Sequence, residues 1–343
     1  MKQILLVLLI FSWFQNSAQT TATFHYLKGK NAIADKDYQT AETEFLNAVK
    51  VDKKYANAYY ELGKIYYQNR NYNNASNYLS KACKYDKKNY KAYYQRGNAN
   101  LAMGSVKSAF KDYDKAISIN GESASAYYFR GWAYYKVKNY QKAVPDLQKS
   151  IDLSPNFANS YYFLGNCYFH LQSYSNAIVN YTKALKIEPN HVDALSMRAD
   201  VYFWKLKDYD RAMDDLKQVY AQDSTNYYAQ NNMGFIYLET ERYNDALKVY
   251  KRMIRNNPSA STAHNNFGFA LFKSGKIDKA IKEIQIAIKL DETNSYCHKN
   301  MALILINQGK NEEACQEIET AIEKGFVEKY GTEILDLKKE NCQ

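Results

Sequence analysis

Histidine and cysteine are the side chains best suited to metal or covalent chemistry, and this chain carries five of each. The cysteines are Cys83, Cys167, Cys297, Cys315 and Cys342, and no two have the C-x-x-C spacing of a zinc or redox pair. His25, His264 and His298 occupy equivalent points of an internal repeat, which raises the question of a shared metal. Neighbouring repeats of packed helices stand about 10 Å apart, whereas a zinc ion needs each ligand at about 2 Å. No G-x-S-x-G, H-E-x-x-H or phosphate-loop sequence occurs. The acidic pairs Asp214–Asp215 and Glu312–Glu313 read as solvated charge on outer helix faces. The expectation is a protein that is not an enzyme and uses no metal or cofactor.

Binding chemistry is better supplied. Tyrosine accounts for 34 residues, and a doublet recurs in "AYYELGKIYY" from Ala58, "AYYQRGNANL" from Ala92, "AYYFRGWAYY" from Ala126 and "SYYFLGNCYF" from Ser160. A tyrosine offers rigid amphipathic surface and a hydroxyl at low entropic cost. Further along, "NNMG", "NNFG" and "KNMA" bring asparagine back at the same interval. An asparagine amide both donates and accepts, so it can pair with a peptide unit whatever the side chain attached.

The interval defines the elements that must position these residues. Nine units begin at about Ala22, Ala56, Tyr90, Ala124, Ala158, Val192, Tyr227, Ser261 and Ser295. Eight span 34 residues; the unit from Val192 has 35, with one extra residue in "FWKLKDYDRA". Each holds two helical patterns, as in Ala56–Gln68 and Tyr72–Tyr85 about a turn at 69–71. A low content of Gly, 13, and Pro, 4, suits helices. Gly63, Gly97, Gly131, Gly165, Gly234 and Gly268 recur mid-helix, where glycine costs about 1 kcal/mol relative to alanine. Close approach of the paired helix, at Ala75 and its equivalents, is the expected reason. One unit is too small to bury its apolar face, so neighbours must stack.

The units resemble the tetratricopeptide repeat. The unit from Ala158 carries that family's pattern as Tyr161, Leu164, Gly165, Tyr168, Ala177, Tyr181, Ala184 and Pro189; Ala199 and Ala302 stand in place of the glycine in two other units. The resemblance covers residues 22 to about 328. It implies an all-α fold, a right-handed superhelical solenoid of antiparallel helix pairs, with the first helices lining a concave groove. Nine repeats over 19–328 and a C-terminal capping helix over 329–343 are expected, the cap running Tyr330–Asn341 with Ile334, Leu335 and Leu337 inward.

The resemblance also implies where a ligand is held, at positions 2, 5, 6, 9, 12 and 13 of each first helix. The fifth position holds Tyr26, Tyr60, Tyr94, Tyr128 and Tyr162, while the preceding tyrosine is the packing residue. Trp132 adds a ninth-position aromatic, and Lys30, Lys64, Lys91 and Lys136 are interleaved. Sixth-position Asn232, Asn266 and Asn300 look like the asparagine ladder with which a tetratricopeptide superhelix grips extended polypeptide. Mutual bonding of these asparagines, and mere stacking of the tyrosines, remain open at this point. The implied function is a protein-interaction scaffold for an extended or acidic polypeptide, in cell-envelope assembly or export; the alternative is an anionic glycan stacked on the tyrosines and met by the lysines.

The first residues, "MKQILLVLLIFSWFQNSAQT", place a lysine before an apolar run and small residues. That is the pattern of a signal peptide over 1–18, cleaved after Ala18, and its apolar run is too short to span a bilayer. No cysteine stands at the cleavage point to anchor a lipid, so a periplasmic or secreted protein with no membrane span is expected. Residues 19–190 carry 24 Lys+Arg against 13 Asp+Glu, and residues 191–343 carry 21 against 23. The basic half favours anionic partners, and secretion argues against nucleic acid. In an oxidising compartment Cys315, facing the following unit, is expected to pair with Cys342 of the capping helix; Cys83, Cys167 and Cys297 replace small apolar residues and should be buried.

Overall fold

The structure, a computed structural model, describes residues 19–342. The expected signal peptide over 1–18 lies outside the described residues. Helices joined by short turns make up the described chain. First helices run Ala56–Gln68, Tyr90–Ala102, Ala124–Lys136, Ala158–His170, Tyr227–Glu239, Ser261–Lys273 and Ser295–Asn307, beginning at the residues where the repeat units begin. Each pairs with a second helix, the first such pair after residues 19–34 being completed by Tyr38–Val51. The chain divides into two compact units, Met1–Ile187 and Glu188–Gln343, each a solenoid of such pairs in its own right.

Every repeat turns on one residue at positive φ between its two helices: Lys36, Arg70, Gly104, Lys138, Gln172, Lys207, Glu241, Gly275 and Gly309. The next residue often caps the second helix, as when Asn71 accepts from the Asn74 amide and Asp208 from the Arg211 amide. The extra residue of the Val192 unit is absorbed locally. Its first helix is α only over Val192–Asp200 and continues as a π-helical turn, Val201–Leu206. A π turn bonds i to i+5 and so holds one residue more, after which Lys207 takes the left-handed conformation in step with its counterparts.

The mid-helix glycines answer to a different residue from the one expected. A Cβ on Gly97 would stand 2.7 Å from Tyr113 Cε1, and one on Gly165 would stand 2.6 Å from Tyr181 Cε1. The nearest neighbour is the large twenty-fourth residue of the unit, whose side chain reaches across to the first helix; the expected approach at the equivalent of Ala75 is seen at Gly268, where the Ala280 carbonyl oxygen lies 3.1 Å from a Cβ. Tyr113, Tyr181 and Tyr250 are fully buried there. The Tyr113 and Tyr181 hydroxyls donate to Asn98 Oδ1 and Asn166 Oδ1 at 2.8 and 2.7 Å.

Charged pairs lock first helix to second inside a repeat. Arg96, Arg130 and Arg198 hold the buried carboxylates Asp112, Asp146 and Asp215, with Nε to Oδ2 distances of 2.9, 2.7 and 2.9 Å. In each of the three pairs Nη2 also donates to Oδ1, giving the planar fork that arginine is suited to. The three repeat-related histidines do the same work: Nδ1 of His25, His264 and His298 lies 2.6, 2.8 and 2.6 Å from Glu44, Glu283 and Glu317. Among the described residues no group of three or more His, Cys, Asp or Glu is placed to hold a metal ion. No helix among them is long and apolar enough to cross a membrane.

The C-terminal cap departs from expectation. A short helix, Phe326–Tyr330, ends at Gly331, whose φ of 101° breaks it, and a second helix starts only at Glu333 and runs to Asn341. Ile334 is buried with Ala302, Ile318 and Phe326, but Leu335 is 41% exposed rather than inward. Cys315 and Cys342 are disulfide-bonded, 27 residues apart with Cα atoms at 5.7 Å. The thiols of Cys83, Cys167 and Cys297 are buried, and burial pushes them up to about 12, about 12 and about 11.

Two measurements follow. A thiol-reagent titration should find three reactive thiols in the denatured, unreduced protein and five after reduction; five before reduction rules out the bridge. Gly97→Ala should destabilise by about 1–3 kcal/mol in urea denaturation, as an overpacked site does, because Asn98 pins the Tyr113 ring against retreat. A neutral result would mean that the ring is free to move.

Candidate functional site

In the first compact unit the fifth-position tyrosines form a row of rings. Tyr26 meets Phe45 and Tyr55 at centroid distances of 5.7 and 5.4 Å. Tyr94 stacks on Phe129 at 5.1 Å, and Tyr128 meets Phe157 at 4.8 Å and Phe163 at 6.0 Å. Tyr162 lies 4.9 Å from Phe163. Thus Tyr94 and Tyr128 each rest on the sixth-position phenylalanine of the next repeat. Burial pushes the phenols of Tyr60, Tyr94 and Tyr128 up, Tyr94 to about 12, so they stay neutral hydroxyls.

The row corrects part of the sequence expectation. Tyr94 is 7% exposed, so it supports its neighbours and presents almost no surface. Tyr26, Tyr60, Tyr128 and Tyr162 are half-buried. Lys30 and Lys64 are not free cations: both bind the buried carboxylate of Glu61, at 3.0 and 2.9 Å. This acid, at the sixth position of its repeat, takes up the charge of Lys30 from the repeat before and of Lys64 from its own helix. Lys91 and Lys136 are exposed, Lys136 lying 5.7 Å over the half-buried Trp132.

In the second compact unit, Asn232, Asn266 and Asn300 are buried, at 7, 3 and 1% exposure. Asn266 Nδ2 donates to Asn231 Oδ1 at 2.8 Å, and Asn300 Nδ2 to Asn265 Oδ1 at 3.0 Å. A sixth-position amide thus bonds the fifth-position amide of the repeat before it. The ladder is real as a pattern, but these bonds consume much of its capacity, since each amide finds its complement at the repeat spacing. Asn266 and Asn265 still face a cavity of about 480 Å³, whose wall also includes Trp204, Phe235, Thr262, Asn294, Tyr296, Tyr330 and Glu333. Lys299 Nζ sits 3.2 Å from Glu333 and 4.9 Å over Tyr296.

Of the wall residues, Asn266 is a groove candidate of the sequence and Asn265 of "NNFG" stands at a fifth position. Thr262 and Tyr296 occupy second positions, Phe235 a ninth and Trp204 a thirteenth, so the positional rule applied evenly finds them too. Tyr330 and Glu333 belong to no repeat. Beside this wall Asp200, at another ninth position, accepts from the Tyr228 hydroxyl at 2.6 Å. Burial holds its carboxyl above the ordinary value of 3.8 despite that bond.

Asp200 therefore works against the fold when ionised. Its contribution is complete below pH 3.8 and is lost as pH rises through the elevated folded-state value. Asp200→Asn should gain stability relative to the natural protein between acid and neutral pH in denaturation curves. A difference that does not change with pH would dismiss this account.

Stacked antiparallel helix pairs that present rings and amides on their first helices define an α-solenoid interaction protein. More particularly, the chain belongs to the tetratricopeptide-repeat family: family models described as tetratricopeptide repeat match residues 26–75, 60–126, 124–157, 158–191, 203–266 and 261–294. It is accordingly a scaffold of the protein–protein interaction kind. Among solved structures, a tetratricopeptide repeat protein from Parabacteroides merdae is 17% identical, covering 73% of this chain and 98% of its own, with a TM-score of 0.58. Pseudomonas aeruginosa pilF is 21% identical over 60% of this chain and 93% of its own, with a TM-score of 0.54. Both share the fold. MamA is 27% identical over 47% of this chain and 94% of its own, with a TM-score of 0.42. No curated protein matches the chain significantly.

Proposed function

We propose that this chain is an exported scaffold that binds an extended polypeptide along its first helices, in cell-envelope assembly or protein export. The observation that carries the reading is the cavity of the second compact unit, where residues from three successive first helices, Phe235, Thr262, Asn265, Asn266 and Tyr296, converge on one space. Its rings offer contact area, and its amides and hydroxyl offer bonds that do not depend on a partner's side chains. Export is supported by the leader pattern of the first eighteen residues. Each hydrogen bond to a peptide contributes only about 1 kcal/mol net, so affinity comes from many contacts along the chain.

The test is affinity capture from envelope extract with the natural protein and Trp204→Ala side by side. Capture should be abolished by treating the extract with protease, should survive periodate oxidation of sugars, and should fall with Trp204→Ala at unchanged melting temperature. Capture that resists protease and is destroyed by periodate instead establishes the glycan alternative.

A further inference from the structure

Three repeats carry a fully buried tyrosine at the twenty-fourth position: Tyr113, Tyr181 and Tyr250. In two of them the hydroxyl is satisfied by the ninth-position asparagine, Asn98 or Asn166. In the third the ninth residue is Phe235, and the Tyr250 hydroxyl has no hydrogen-bond partner among the described residues. The fold has its own solution for this place, and one repeat forgoes it. An unpaired buried donor weakens a protein. The residue responsible does something else: the Phe235 ring lies 6.3 Å from Trp204 and walls the cavity with Tyr296 and Tyr330.

The geometry points to this cavity as the anchor for one uncharged aromatic side chain of a bound polypeptide, with Phe235 setting that preference. The inference rests on the polypeptide-binding reading above. Charge complementarity selects the occupant. Among the described residues Glu333 is the one carboxylate of the wall, and it is paired with Lys299, which also covers Tyr296. A cationic side chain would find both the carboxylate and that ring face already engaged, and an anionic one would find the Lys299 charge already taken up by Glu333. A neutral ring meets edges and faces of aromatic neighbours, an arrangement that favours aromatic pairs. Asn265, Asn266 and Thr262 then serve the flanking backbone.

The experiment pans a random-peptide phage library against the full oxidised chain, then measures Kd for a synthetic enriched peptide. The enriched peptides should share an aromatic residue at one position. Replacing that residue by alanine, or making Phe235→Leu in the protein, should raise Kd about tenfold or more, as loss of an anchor does. Phe235→Asn should weaken the same peptide while raising the melting temperature, because Tyr250 gains a partner. Enrichment of no peptide overturns the polypeptide reading and this inference with it. Peptides without a shared aromatic, or a Kd unmoved by Phe235→Leu, overturn this inference alone. So does a lower melting temperature for Phe235→Asn, since the ring would then be present for stability.

Discussion

The absence of one carbon atom at the eighth position of seven of the nine repeats governs much else. It lets the twenty-fourth side chain lie across the first helix, at distances a Cβ would forbid: 2.7 Å at Gly29 against Phe45 and 2.6 Å at Gly165 against Tyr181. Beside that contact Arg96 grips Asp112 and His264 meets Glu283, pairs that also form where the eighth residue is Ala199 or Ala302. The contact also fixes where the first helix turns its remaining faces. Rings at the fifth position and amides at the sixth then fall on neighbouring repeats, at a spacing where they touch one another.

This is why the fold was legible in the sequence and the site only partly so. Helix starts at Ala56, Tyr90 and Ser261 follow from the period, because the period is imposed by backbone packing that every unit repeats. The principal glycine neighbour is the twenty-fourth side chain, with the expected alanine close only at Gly268, because sequence shows that room is needed without showing which neighbour fills it. Lys30, Lys64 and Tyr94 were named as groove residues from their positions, but whether such a residue is free depends on the contacts it makes. Glu61 takes up both lysines, and Phe129 covers Tyr94. The Lys30 and Tyr94 partners come from the following repeat, which a pattern read within one unit does not show, whereas the Lys64–Glu61 pair is three residues apart on one helix and was open to the sequence. The cap failed for a simpler reason: Gly331 breaks a helix whose apolar spacing looked continuous.

Polar groups in this protein are mostly spent on one another. Carboxylates meet arginine or histidine within a repeat, asparagines bond asparagines between repeats, and Glu333 meets Lys299 at the cap. Pairing of this kind makes each repeat's geometry more specific, since a slipped register leaves a charge or amide unpaired at a cost of about 1–3 kcal/mol or more. The Tyr250 hydroxyl is conspicuous against that background.

The π-helical turn at Val201–Leu206 bears on how such a chain can change over generations. A single inserted codon inside a helix would ordinarily rotate every later side chain by about 100°, turning apolar faces to water. Here one wide turn takes up the surplus before the next left-handed residue, so the following helices keep their faces. An array able to quarantine an insertion in this way can tolerate length variation within a repeat, and Trp204 lies inside the very turn that does so.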